Sequence, residues 1–238
     1  MKPIYKPSGK ALEYGDYCIN IYTGCNHGCT YCFAPSVLHK TREEFEDVKH
    51  RKGLLEALKK QLESGVYAGA LIHLCFTCDP YPAPPVDTSI TRDVIKAIKA
   101  AGAHVQILTK GGYRATQDLD LLDKDDWFGI TLTADPDETQ FIEPNAAQWS
   151  ERYHMLRLAH HARVKTWISF EPVYDPEMVI AILKKETCVD MYRIGKLNYH
   201  PSSIEWGGFG RLCEEICKLR GLNYMIKDGL RKEMEATT

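Results

Sequence analysis

From residue 70 to residue 226 the chain alternates short apolar runs with longer amphipathic ones, and this rhythm restricts the fold more than any other feature. Residues 70–76, 105–108, 127–132, 164–170, 191–194 and 223–226 read as strands. Residues 88–101, 115–123, 148–161, 176–185 and 204–219 read as the helices between them. A further strand is predicted at 18–22, ended by Gly24. Residues 43–64 carry Phe45, Val48, Leu54, Leu55, Leu58 and Leu62 at helical spacing. Six or seven β/α units with short connections imply an α/β architecture on a parallel sheet, in a single domain over 17–228. Residues 1–16 read as an irregular lead-in and residues 229–238 as a tail. A barrel and a doubly wound open sheet both satisfy the rhythm. No Gly-x-Gly-x-x-Gly follows a strand, so a dinucleotide site has no support. Gly207-Gly208-Phe209-Gly210 fits neither phosphate-loop spacing and reads as a turn.

The nine cysteines of this 238-residue chain are an odd number, which does not suit a disulfide framework. Three lie within Gly24-Cys25-Asn26-His27-Gly28-Cys29-Thr30-Tyr31-Cys32, at Cys-x3-Cys-x2-Cys spacing. Three thiolates on one short loop can hold three irons of a cubane cluster and leave the fourth iron open. Gly24 and Gly28 allow the loop to curve tightly. Zinc is the rival, with Cys29 and Cys32 completed by Cys75 and Cys78, or by Cys25 and His27. Incidental burial of thiols is the third reading. A net charge of −2 makes no global demand for a polyanionic partner. Residues 1–5 lack the apolar stretch of a secretion signal, and no apolar run reaches the roughly 18 residues of a membrane span. The expected location is the cytoplasm, with no membrane partner.

Cys25-x3-Cys29-x-Tyr31-Cys32, just after the first strand of a β/α series, resembles the radical S-adenosylmethionine superfamily. The resemblance implies a partial (β/α)6 TIM-type barrel with its ligands at the C-terminal strand ends. It implies a 4Fe-4S cluster on Cys25, Cys29 and Cys32, with Tyr31 beside the cofactor. S-adenosyl-L-methionine would chelate the open iron and yield a 5′-deoxyadenosyl radical that abstracts hydrogen. A reducing electron-donor protein is implied as a partner.

The rest of the chain is similar to the spore photoproduct lyase branch and its small phage-encoded relatives. Thr77-Cys78-Asp79-Pro80-Tyr81-Pro82 resembles that branch's Thr-Asp-Pro-Tyr motif, which implies that Asp79 holds the cofactor's amino group. The plain alternative is a turn residue before proline. Lys110, in Thr109-Lys110, would meet the cofactor carboxylate, or is simply solvated before Gly111. Thr131 and Thr133 share a strand face and would bond the ribose or methionyl part, although Thr is common in strands. Glu143-Pro144 followed by Arg152 resembles an element whose arginine reaches the carboxylate; a surface arginine is the alternative. Glu171 suits a ribose hydroxyl or a substrate amine. Lys196, Asn198 and Lys227 would complete a polar ring.

The lyase's hydrogen-donating cysteine aligns here with Phe76. Cys75 and Cys78 flank that position. Strand alternation puts Cys75 and Phe76 on opposite faces, so Cys78 is the expected hydrogen donor. Cys18, Cys188, Cys213 and Cys217 read as structural, and His154, His160 and His161 as surface residues. The expected function is hydrogen abstraction from a nucleobase or nucleotide-like substrate, thymine-derived and within DNA, for isomerisation, modification or lesion repair. Tyr81, Tyr113, Trp206 and Phe209 are candidate stacking surfaces. Lys2, Lys6, Lys10, Lys227, Arg231 and Lys232 are candidate basic contacts. The alternative is a non-catalytic, zinc-stabilised nucleic-acid-binding protein.

Overall fold

The computed structural model describes residues 2–236. Its strands are β1 (Tyr17–Ile19), β2 (Tyr22–Thr23), β3 (Lys49–His50), β4 (Leu71–Leu74), β5 (His104–Thr109), β6 (Trp127–Thr131), β7 (Lys165–Phe170), β8 (Met191–Ile194) and β9 (Tyr224–Ile226). Its helices are α1 (Ala34–Val37), α2 (Arg42–Glu46), α3 (Leu54–Leu62), α4 (Ser89–Ala100), α5 (Pro136–Ile142), α6 (Trp149–His161), α7 (Pro176–Lys185), α8 (Trp206–Arg220) and α9 (Asp228–Ala236).

Seven strands form one sheet in the order β1-β4-β5-β6-β7-β8-β9. Every pairing in it is parallel. Each crossover therefore steps to the next position in the same direction. Right-handed crossovers then place all the helices on one face, and the sheet curls around the other. A doubly wound sheet would reverse its strand order, and this one does not. The edges β1 and β9 stay apart, so the architecture is a partial barrel, as the resemblance implied.

The first residues span the open side. Tyr5 bridges to Cys18 of β1. A 3-10 turn follows over Gly9–Tyr14. From it, the Tyr14 carbonyl accepts a hydrogen bond from Arg193 of β8, and the Glu13 carboxylate accepts one from the Asp228 amide. The segment read as an irregular lead-in thus joins the two edges.

Several local expectations need correction. The helix expected over 43–64 is two helices. Thr41 and Glu44 form a reciprocal capping box that starts α2. The β2–β3 hairpin and Gly53, at φ +69°, then interrupt the run before α3. The strand expected over 70–76 stops at Leu74, because the Asn20 side-chain oxygen accepts hydrogen bonds from both the Phe76 and Thr77 amides, at 2.8 and 2.9 Å. The glycine-rich stretch 207–210 is the first turn of α8, begun by the Glu205 side chain on the Gly208 amide. Residues 229–236 of the expected tail belong to α9, whose Leu230 and Met234 pack on Gly210. The helix expected over 115–123 is a 3-10 helix over Gly112–Leu121, and the strand expected over 18–22 is divided between β1 and β2; the other predicted elements are present within a few residues of their predicted ends.

The concave face carries one tight steric solution. The Trp167 indole of β7 lies across β6 and donates to the Ile107 carbonyl of β5 at 3.0 Å. It occupies the space where a side chain at Gly129 would begin. Gly129→Ala is expected to cost about 1–3 kcal/mol by overpacking. Urea unfolding would show this as a lowered midpoint with an unchanged slope; an unchanged midpoint would mean that the indole shifts freely.

Candidate functional site

A cavity of about 540 Å³ opens at the C-terminal ends of the strands. Cys25, Cys29, Cys32 and Tyr31 line it from the loop after β2. Cys75, Cys78 and Asp79 follow β4, Lys110 follows β5, and Thr131 ends β6. Glu171, Asn198 and Lys227 follow β7, β8 and β9. Residues scattered over more than two hundred positions thus meet in one chamber because, the cysteine loop after the β2–β3 hairpin's first strand apart, each ends or follows a strand of the parallel sheet.

The cysteine loop is held from several directions. Arg42 donates to the carbonyls of Cys29 and Thr30 at 2.6 and 2.7 Å. Asn26 exchanges two hydrogen bonds with the Ala83 backbone, both at 2.8 Å. The Cys25 amide bonds the Phe45 carbonyl. Gly24, at φ +100°, lies so close to that carbonyl that a side chain would overlap it. Burial pushes the Cys29 thiol up to about 12, against the opposing pull of Lys110, and pushes Cys25 well up too. A bound metal would therefore have to displace protons from these thiols.

The donor set suits a cluster better than a single zinc ion. Tetrahedral zinc draws its sulfurs to about 3.8 Å from one another. Among the described residues, the three ligand atoms within 4.8 Å of one another belong to His104, Asp123 and Asp125, around the N-terminal end of β5, and not to this loop. A cubane gives each sulfur its own iron and requires wider spacing. The chamber wall also has polar atoms awaiting partners. Thr77 Oγ1 and His73 Nε2 are buried and bond nothing. The Lys110 ammonium lies 5.6 Å from the Tyr31 ring centre and makes no ion pair among the described residues. Burial would lower its pKa, but Cys29 and Glu143 raise it, so it remains a cation. These groups fit a hydrogen-bonding cofactor that carries a carboxylate, such as S-adenosylmethionine, beside a cluster.

Asp79 is the junction of this wall. Its Oδ1 accepts from Thr109 Oγ1 at 2.6 Å and from the Tyr81 amide at 2.8 Å. Its Oδ2 accepts from the Lys110 amide at 2.8 Å and faces His27 Nδ1 at 3.5 Å. Burial would raise its pKa; His27, Thr109 and the two amides outweigh that and hold the carboxyl below the usual range. Burial takes His27 down to about 4, with Arg114 adding to the effect and Asp79 opposing it. The neutral ring accepts from Arg114 through Nε2 at 3.0 Å.

Two residues expected at the cofactor stand behind the wall. Arg152 is fully buried and pairs with Glu143 at 2.5 Å. It also donates to the carbonyls of Ala147 and Thr131. Its Nη2 is buried without a partner. Thr133 bonds Glu143 at 3.2 Å, and the Tyr31 hydroxyl donates to the same carboxylate. Neither Arg152 nor Thr133 lines the chamber. Glu143, which the sequence offered only as a landmark before Arg152, is the hub of this group.

On the far wall, Glu171 accepts from Lys227, from Asn198 at 3.1 Å and from the Tyr14 hydroxyl at 3.2 Å. Tyr14 carried no sequence signal; a lone tyrosine in an irregular segment has none. Lys196 turns away to Glu233. Tyr81 is buried on Asp118 and offers no stacking face. Tyr113, Trp206 and Phe209 lie outside the chamber lining, whereas Lys10 belongs to it.

Replacing Arg152 with Met strands a buried carboxylate, at a cost of about 3–5 kcal/mol. Burial alone would raise Glu143, and Arg152 and Lys110 bring it below its ordinary 4.5. A depressed carboxyl contributes stability that is complete above that ordinary value and disappears as pH falls through the folded value. The gap between the parent chain and Arg152→Met in urea midpoint is therefore expected to be wide at pH 7 and to narrow below about pH 4.5. A gap independent of pH would contradict the ion pair.

The sequence profile described as the radical SAM superfamily matches residues 19–184, well over half of the chain. The uncharacterised protein ORF301 of Acidianus two-tailed virus is 28% identical over 246 residues, covering 93% of this chain and 76% of its own. An uncharacterised protein of Mycobacterium tuberculosis is 28% identical over 115 residues, or 44% of this chain and 32% of its own. Among solved structures, a spore photoproduct lyase mutant with bound S-adenosylmethionine and dinucleoside spore photoproduct superposes with TM-score 0.62 at 15% identity, over 88% of this chain and 63% of the lyase. Streptococcus suis SuiB bound to S-adenosylmethionine superposes with TM-score 0.64 at 12% identity, over 87% of this chain and 49% of SuiB. This chain spans less than two thirds of either protein, and at such identities the likeness is one of fold. The profile match takes in the cysteine loop and the strands from β4 to β7 whose ends build the chamber, and the chain belongs to the radical SAM superfamily.

Proposed function

We propose that this chain abstracts hydrogen from a nucleobase or nucleotide-like substrate, thymine-derived and carried in DNA. The observation behind this reading is the shared chamber: Cys25, Cys29 and Cys32 open into the same space as Lys110 and the Tyr14–Glu171–Asn198–Lys227 wall. When bound, the cluster and S-adenosylmethionine supply a 5′-deoxyadenosyl radical. The protein's own residues do the rest. The three thiolates hold the cluster, and Lys110 meets the cofactor carboxylate. Asp79 keeps the ends of β4 and β5 and the cysteine loop in register. Tyr31 closes the side next to Glu143.

The far wall suits a heterocycle that carries both carbonyl and N–H edges. Glu171 accepts hydrogen bonds, while Lys227 and the Asn198 amide donate them. At the mouth, Phe33 and Tyr199 are 49% and 81% exposed, and Lys10 lies 5.0 Å from the Tyr199 ring centre. Exposed rings beside a cation suit a stacked base with its phosphate. The fold shared with the lyase bound to dinucleoside spore photoproduct supports the same substrate class. Among the described residues no helix is long and apolar enough to cross a membrane. A reducing compartment and an electron-donor protein complete the proposal. Isomerisation and lesion repair begin with the same abstraction and diverge at the return of hydrogen.

Anaerobic reconstitution is expected to give brown protein with about four irons per chain. With dithionite and S-adenosylmethionine it should form 5′-deoxyadenosine, and Cys25→Ala should form none. Thymidine-containing oligonucleotides, irradiated and not, would then be searched by mass spectrometry for a changed base. A colourless protein that binds one zinc, or no cleavage of S-adenosylmethionine, defeats the proposal.

A further inference from the structure

We propose that Cys75 and Cys78 form a redox-active dithiol that faces the chamber and closes reversibly to a disulfide, with Cys78 supplying hydrogen to a radical bound there. The hydrogen-supplying part rests on the function proposed above; the dithiol does not.

Strand alternation would have separated these residues, but β4 ends at Leu74. Beyond it, the Phe76 and Thr77 amides both point at the Asn20 side-chain oxygen. Successive N–H groups directed at one oxygen curl the chain around it. Asn20 is itself held by the Tyr5 hydroxyl, which accepts from its amide at 2.7 Å. The curl brings both residues to the chamber wall, and both are free thiols. Their environments differ. Cys75 is 7% exposed, and burial together with the neighbouring Cys78 pushes its thiol well up. Burial acts on Cys78 in the same direction, but the Cys75 thiol and the backbone N–H groups of Tyr22 and Ile21 outweigh it and bring Cys78 below the ordinary thiol range. Two unlike thiols three positions apart, one lowered by its neighbours and one raised, make the arrangement of an exchanging Cys-x-x-Cys pair.

The chemistry balances in two steps. A substrate radical takes the hydrogen atom of the Cys78 S–H, giving product and a Cys78 thiyl. Cys75 releases its proton to water and bonds to that thiyl. The extra electron of the resulting S–S pair passes to a one-electron acceptor, the oxidised iron–sulfur cluster. Of the two thiol hydrogens, one leaves in the product and one as a proton; a neutral disulfide remains. An external dithiol resets it, its own two thiols becoming a disulfide.

Trypsin releases residues 61–92 as one peptide whose cysteines are Cys75 and Cys78 alone. Iron-loaded protein would be equilibrated anaerobically across ratios of oxidised to reduced glutathione, quenched in acid, denatured and alkylated. The expected result is a shift of this peptide from doubly alkylated to an unalkylated form two hydrogens lighter, with Cys213 and Cys217 alkylated throughout. In Cys75→Ser, Cys78 should instead take up glutathione. A peptide that stays doubly alkylated at every ratio, or a parent peptide that carries glutathione on Cys78, overturns the dithiol. With S-adenosylmethionine as the only added ligand in deuterated buffer, 5′-deoxyadenosine should gain one deuterium in the parent and none in Cys78→Ala. Equal deuterium in both overturns hydrogen supply by Cys78. Because the exchange needs no cofactor cleavage, exchange without cleavage would defeat the proposed function while leaving the dithiol standing.

Discussion

The arrangement of the chamber depends on one buried carboxylate. Asp79 lies in the curled segment after β4 and receives hydrogen bonds from Thr109 and the Lys110 amide at the end of β5, while facing His27 of the cysteine loop. Three segments distant in sequence are thereby fixed relative to one another. Without the carboxylate, the two buried amides and the Thr109 hydroxyl would each lose a partner, at about 1–3 kcal/mol apiece. An aspartate is costly to bury, and this one is tolerated because four groups surround it. It thus fixes the cysteine loop relative to Lys110 and borders the chamber.

A second buried charge supports the opposite side. Glu143 gathers Arg152, Thr133 and the Tyr31 hydroxyl behind the chamber wall. The two groups divide the work. Asp79 knits backbone ends together, while the Glu143 group positions Tyr31 beside Cys29. Between them the loop has little freedom, consistent with a site that must hold a cluster in a defined orientation to its neighbours.

The strands and most helices were legible because their signals are local. A parallel strand buried on both faces reads as a short apolar run, and an amphipathic helix as a 3.6-residue period. The failures were also physical. Residues 43–64 have apolar positions at helical spacing, yet Gly53 and the hairpin break the run, since periodicity says nothing about an intervening backbone reversal. The glycines at 207–210 looked like a turn, but a packing partner, α9, makes small residues useful within a helix. Tyr14 and Asn20 were invisible because their importance lies in contacts with β7 and with the segment after β4, many residues away.

What the sequence determined alone was the chemistry available: three thiols on one short loop, at a spacing open to an iron–sulfur cluster or to zinc, and a β/α rhythm that sends polar residues to strand ends. These depend on neighbours along the chain. What only the tertiary structure decided was which of those residues share a space. It chose the barrel order over the doubly wound one, moved Arg152 and Thr133 behind the wall, and brought Tyr14 to Glu171. It also curled the chain after Leu74 around Asn20, so that Cys75 and Cys78 face one chamber despite strand alternation. The reason is that curvature and side-chain facing are set by hydrogen bonds between distant segments, which no local pattern of residues encodes.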